Sequence, residues 1–137
     1  MKAELRREIR DLSLVASGAI PGALLRWKLE GLGQSVVSGL RGAVSADFVA
    51  NMLGCLLIGL LLSPTPARPR LMLAVGIGFC GSLTTFSSWM LELARALRAG
   101  AGLAASGVLV FSLGGGLLLV SLGYGFAQGL QRRRRCP

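Results

Sequence analysis

Residues 71–91 contain no charged side chain, and as a helix rising 1.5 Å per residue such a run is about 30 Å long, the thickness of a bilayer's hydrocarbon core. Lipid offers the backbone no hydrogen-bonding partner, so a segment facing hydrocarbon must satisfy its own amides and carbonyls, which for a single segment means a helix. One part of this run sits poorly in that environment. Gly78, Phe79, Cys80, Gly81, Ser82, Leu83, Thr84, Thr85, Phe86, Ser87, Ser88 and Trp89 bring five hydroxyls within seven residues. Polar groups in hydrocarbon cost free energy unless they are satisfied, so a cluster of them implies a task.

The rest of the chain has the same character. Of 137 residues 53% are hydrophobic and 15% charged, with 20 glycines, too little charge to cover a soluble domain and the glycine excess of membrane helices. A single membrane domain with four spans is expected. Residues 1–11 alternate charge with apolar side chains and read as an interfacial lead-in. The first span covers about 12–29. Its charge-free part is too short to cross, so the helix continues through Arg26 to the boundary, with Trp27 and Lys28 as anchors, and Pro21 predicts a kink. The second span covers about 44–62, the proline-rich stretch 63–70 makes a turn, the third covers 71–91 and the fourth about 103–127, before a basic tail at 128–137. Small residues four apart recur: Ala50 with Gly54, Cys55 with Gly59, Ser112 with Gly116, and Ser121 with Gly125 and Gly129. Such spacing lets helices approach closely in lipid. Four thin helices on short loops form an antiparallel bundle with little room for a pathway of its own, which points to an oligomer.

A net charge of +9 does not indicate nucleic acid here, because the basic residues flank apolar spans as topology determinants do. Ten of them, Lys2, Arg6, Arg7, Arg10, Arg68, Arg70 and Arg132 to Arg135, fall on the side of both termini; five, Arg26, Lys28, Arg41, Arg95 and Arg98, fall on the other. Both termini are therefore expected in the cytoplasm. Cys55, Cys80 and Cys136 make no disulfide framework and read as free thiols. With no histidine, no carboxylate pair in mid-membrane and no nucleophile beside a base, neither an enzyme nor a transition-metal site is supported.

Within the third span, Thr84, Ser87 and Ser88 share one helical face, and Phe86 and Trp89 lie three apart on a neighbouring one. The run from Gly81 to Thr85 combines glycine with side chains that compete for backbone hydrogen bonds, which favours a break in mid-helix. A break frees carbonyls to meet a cation and amides to meet an anion. The plainer alternative is that each serine or threonine bonds back to its own i−4 carbonyl, and that Phe86 is ordinary packing. In the second span Asn51 is the lone amide, either a bond between helices or part of a permeation path, and Asp47 lies one turn earlier.

These residues resemble the small fluoride channels called Fluc or CrcB. The motif there, approximately G-F-C-G-G-L-T-T-F-S-T-F, is similar to residues 78–89 over most of its length. The family's V-N-x-x-G resembles Ala50-Asn51-Met52-Leu53-Gly54, and its G-x-x-x-R resembles Gly22 to Arg26. The resemblance implies an all-α integral membrane protein of the plasma membrane whose third helix is broken in the middle. It implies an antiparallel dimer with two pores that let fluoride leave the cytoplasm passively, conferring fluoride resistance. It also implies a central structural sodium ion (Na+) held by the carbonyls of Gly81 and Thr84. The fluoride pathway would be lined by Asn51, Phe86, Ser87, Ser88, Trp89 and Ser112, with Arg26 as a vestibule charge. The chain departs from the family pattern at Ser82, which replaces a glycine, at Trp89, which stands for the second pore phenylalanine, and at Asp47, where threonine is usual. In the fourth span Val108 and Gly116 replace a tyrosine and a serine. The basic bias and these losses together suggest a partner that is an oppositely oriented homologous subunit rather than a copy, so homodimer and heterodimer both stand as expectations. The competing readings are a small multidrug-type transporter, whose first-span glutamate has no equivalent between Leu12 and Leu29, and a non-conducting structural subunit.

Overall fold

A computed structural model describes residues 2–36, 46–62 and 68–135. The connection through Arg41, the expected start of the second span at Val44, the stretch 63–67 and Cys136 lie outside the described residues.

Every regular element among the described residues is helical. Helix α1 runs unbroken over Lys2–Val36, about 52 Å at 1.5 Å per residue, so the expected lead-in and first span form one rod. The change of composition at Asp11 does not end it, because Arg, Glu and Leu are all good helix formers. The helix also continues through Pro21. Helix α2 covers Ala46–Leu61. The third segment starts with Pro69 at the first position of the short helix α3, Pro69–Leu71, where a missing amide costs nothing. It widens into a π-helical stretch over Met72–Cys80 and closes with α4, Gly81–Leu83. Thr84 then turns to extended backbone, with φ −79° and ψ 151°, and helical structure resumes as α5, Ser87–Arg98. Gly100, at φ 73°, makes the left-handed turn into α6, Gly102–Arg135. Two stretches, Pro69–Arg98 with its interruption and Ala105–Arg133, are by length and composition long and apolar enough to cross a membrane; Asp47–Leu61 is a shorter apolar helix.

The helices pair in two sets, α1 with the π stretch and α4, and α2 with α6. Each pair meets along a seam of glycine. On α1, Gly18 and Gly22 are buried; a Cβ at Gly18 would meet the Ala74 carbonyl, and one at Gly22 would meet the Phe79 carbonyl and the Ser82 hydroxyl. Across the seam, a Cβ at Gly78 would crowd Val15, Gly18 and Ala19. This is backbone against backbone, the approach that small residues four apart permit. A π turn is wider than an α turn and is uncommon outside functional or closely fitted segments; here it underlies that contact. In the second pair, Gly59 faces the backbone of Val120, Gly123 faces Leu56 and Leu60, and Gly116 faces the Cys55 sulfur. Gly125 and Gly129, by contrast, meet nothing within 4 Å. Ala50, Cys80, Leu83, Trp89 and Ala105 form the buried core, at the level where the third segment leaves the helix.

Candidate functional site

The extended residues Thr84 and Thr85 would leave polar backbone without partners in an apolar bundle. Asn51 answers for one of them completely. Its side-chain Nδ2 donates to the Thr85 carbonyl at 3.0 Å, and its Oδ1 accepts from the Thr85 amide at 2.8 Å. An amide side chain has one donor end and one acceptor end, which is the set a peptide unit presents. Asn51 reaches this place because Ala50, fully buried, and Gly54, against the Thr84 methyl, keep α2 close. The clamp has a consequence one turn back. In an unbroken helix the Thr85 amide would bond to the Gly81 carbonyl, but here it is given to Asn51.

The hydroxyls divide by role. Thr84 bonds back to the Cys80 carbonyl at 2.8 Å, the plainer of the two sequence readings, and Thr85 lies beside Ser87, oxygen to oxygen at 3.4 Å. Ser82 has three carbonyls in reach: Ala19 on α1 at 2.9 Å, Gly78 at 2.9 Å and Phe79 at 3.1 Å. It therefore joins the third segment to α1 across the glycine seam. Ser87 is exposed, and Ser88, half-buried, approaches the carboxylate of Asp47.

The aromatic pair divides too. Phe86 is 71% exposed on the outside of the molecule, while Trp89 is buried at 8%; their ring centroids lie 5.7 Å apart at an angle of 52°. The Trp89 indole donates from Nε1 to the Ser112 hydroxyl at 3.1 Å, tying α5 to α6. Replacing Trp89 with phenylalanine is expected to cost about 1 kcal/mol through that bond, read as a lower thermal midpoint, and Ser112→Ala on top should then cost little more.

Arg26 does not stand alone. Its Nε lies 2.9 Å from Glu30 Oε1, one turn on, both side chains part-exposed. The structure thus brings Asn51, Thr84, Thr85, Phe86, Ser87 and Ser88 together around one interruption, with Gly81 exposed beside it, whereas Trp89 and Ser112 pair with each other and Arg26 pairs along its own helix. Sequence reading missed Gly18, Gly22, Gly78 and Ser82 as a seam, although their four-residue spacing is the pattern found elsewhere in the chain. It also missed Thr85 as Asn51's partner, for which no local signal exists, and the i,i+4 pairing of Arg26 with Glu30, which was visible.

Residues 13–124 match the family model of the CrcB-like proteins, Camphor Resistance (CrcB). A Parasynechococcus marenigrum (strain WH8102) protein named Fluoride-specific ion channel FluC 2 is 47% identical over 97% of this chain and 89% of its own length. One of the same name from Synechococcus sp. (strain CC9605) is 44% identical over 95% of this chain and 90% of its own. The first of these organisms also has a FluC 1, 36% identical over 82% of this chain and 89% of its own length.

Proposed function

Because this chain belongs to the CrcB-like family, we propose that it is a subunit of a fluoride-selective ion channel through which fluoride leaves the cytoplasm passively. The observation that carries the reading is the match along nearly the whole chain to relatives named fluoride-specific ion channels. The site's chemistry supports it. Fluoride gives up water only where hydrogen-bond donors replace it, and Ser87, Ser88 and the second N–H of the Asn51 amide are such donors. Phe86 at the start of α5 has no side-chain acceptor for the first amides of that helix, so its positive end faces the interruption. The edge of the Phe86 ring carries positive quadrupole charge as well.

Gly81, Phe86 and Ser87 lie exposed on the subunit's exterior. In this reading an oppositely oriented second subunit covers them, with two pores along the interface and four spans per subunit. Strains whose relatives include both a FluC 1 and a FluC 2 favour a homologous partner, and both termini then face the cytoplasm. The residues fit a structural sodium ion. The Gly81 carbonyl has lost the Thr85 amide to Asn51 and the Thr84 carbonyl follows an extended ψ, so both are oxygen ligands without a helical donor. A sodium ion there would neutralise their dipoles and stiffen the junction. Gly81 and Thr84 hold that corner while Asn51 fixes Thr85, and Trp89 and Ser112 act behind the pathway as a brace.

Purified protein in liposomes loaded with fluoride, monitored with a fluoride electrode, is expected to release the ion and to retain chloride. Should the chain alone be silent, co-expression with a FluC 1-type relative should restore release. No release from either preparation overturns the reading.

A further inference from the structure

The turn at Gly100 sends α6 back along the third segment, and the Trp89–Ser112 bond joins residues nearly equidistant from that turn, so the two run antiparallel. Arg68 and Arg132 are equally far from Gly100 along the chain and stand at one end of the bundle. Helix α1 runs parallel to the third segment, since Gly18 meets Ala74 while Gly22 meets Phe79 and Ser82, and its N-terminal turns reach the same end. Six arginines gather there: Arg6, Arg7, Arg68, Arg70, Arg132 and Arg133. All are exposed, and none has an ion pair among the described residues. Arg10, by contrast, is held by Asp11 at 3.3 Å.

The glycine seam also sets their depth. Arg70 immediately precedes the charge-free run 71–91, so it stands where that run meets the headgroups. Leu14 and Arg70 lie four residues before Gly18 and Ala74 and are therefore about level. Arg10, Arg7 and Arg6 are then about 6–12 Å farther out at 1.5 Å per residue, at headgroup depth and just beyond it. Leu5, Ile9 and Leu12, at i, i+4 and i+7, are each more than half exposed and form a stripe that continues to Ile20 on the side away from Gly18 and Gly22. Helical spacing puts Arg6 and Arg10 on one flank of this stripe, and Glu4, Glu8 and Asp11 on the other. Fixing orientation in a membrane needs only a surplus of positive charge on one side. It does not need acid and base sorted to opposite flanks of an apolar stripe, which is the pattern of a helix lying against lipid. We propose that this end of the bundle binds anionic phospholipid. The Leu5 stripe lies against the upper acyl chains, Arg6 takes a phosphate beside it, and the arginines of the third segment and α6 take others with their forked N–H groups. Lipid held there steadies α1, and with it the seam and the Ser82 bond to the Ala19 carbonyl.

Lipid binding is read without a conduction assay, so its outcome stands apart from the channel reading. The assembly as isolated, in neutral detergent, is titrated with phosphatidylglycerol or with phosphatidylcholine of the same acyl chains while its thermal midpoint is followed. The midpoint is expected to rise more with phosphatidylglycerol than with phosphatidylcholine. At about fivefold per arginine, Arg6→Gln with Arg70→Gln should raise the half-saturating phosphatidylglycerol about 25-fold. Arg6→Lys with Arg70→Lys should recover most of that loss, and Arg95→Gln with Arg98→Gln, at the opposite end, should respond as the wild type does. Each variant's midpoint in phosphatidylcholine is its own baseline, which separates lost binding from lost stability. Equal responses to the two lipids overturn the proposal, as does an undiminished phosphatidylglycerol response in the Arg6→Gln, Arg70→Gln protein. An equal loss in the Arg95→Gln, Arg98→Gln protein would reduce the effect to net charge and overturn it too. The same rise with inorganic phosphate alone would mean a site for free anions and also overturns it.

Discussion

Alanine at Gly18 should sharply lower the protein's thermal midpoint and its yield. The new Cβ would fall on the backbone carbonyl of Ala74 and lie 2.9 Å from the Phe79 amide, and neither can rotate away as a side chain would. Relief requires α1 to withdraw from the π stretch along the whole seam, which separates Gly22 from Phe79 and pulls the Ser82 hydroxyl from the Ala19 carbonyl. Overpacking of this kind costs about 3 kcal/mol, a large part of the 5–15 kcal/mol that roughly bounds a domain's stability. Gly78→Ala should behave alike, meeting Gly18 and Ala19 from the other side. Gly31→Ala is the control: a Cβ there meets nothing within 4 Å, and alanine favours a helix interior. Yield of monodisperse protein in detergent and its thermal midpoint decide the matter. A Gly18→Ala protein as stable as Gly31→Ala would mean that the two helices do not touch in this way.

Asn51→Leu should abolish fluoride release. The substitution keeps the side chain's size but removes both bonds to Thr85. Hydrogen bonds between membrane helices are often worth little because each group finds another partner when separated. Thr85 differs, since its residue lies outside any helix and is buried at 9%. Its amide and carbonyl would each lose about 1–3 kcal/mol. Even about 3 kcal/mol in total shifts the balance between clamped and unclamped junctions by roughly a hundredfold. Asn51→Asp, which can still accept from the amide but no longer donates to the carbonyl, should fall between. Release from Asn51→Leu within twofold of the wild type would show that the clamp does not shape the pathway.

Helical structure was readable in the chain because apolar runs in hydrocarbon leave the backbone few alternatives. Close helix contact was readable from small residues at Cys55 and Gly59, but the same signal at Ser121, Gly125 and Gly129 marks an open face, since spacing shows what a helix permits and not what lies opposite. The hydroxyl run was conspicuous, yet its division was not. Thr84 turns back on its own helix, a local bond, whereas Ser82 crosses to α1 and depends on Ala19, a neighbour far away in sequence. The same holds for Asn51, 34 positions from Thr85, and for Trp89, 23 from Ser112. A residue with two possible partners is decided by packing, which the order of residues does not contain.

The two helix pairs are each sealed by glycine, but they are joined differently. Between α2 and the third segment the tie at the level of the interruption is the Asn51 amide, and two short bonds of fixed direction tolerate little sliding. A shear of one pair against the other by the width of a single atom would part them while leaving both glycine seams intact. The molecule is in this sense two stiff plates held by two polar pins, Asn51 to Thr85 and Trp89 to Ser112, and the first passes through the residue before Phe86. Forces that act on the plates, such as a change of bilayer thickness, converge mechanically on these pins.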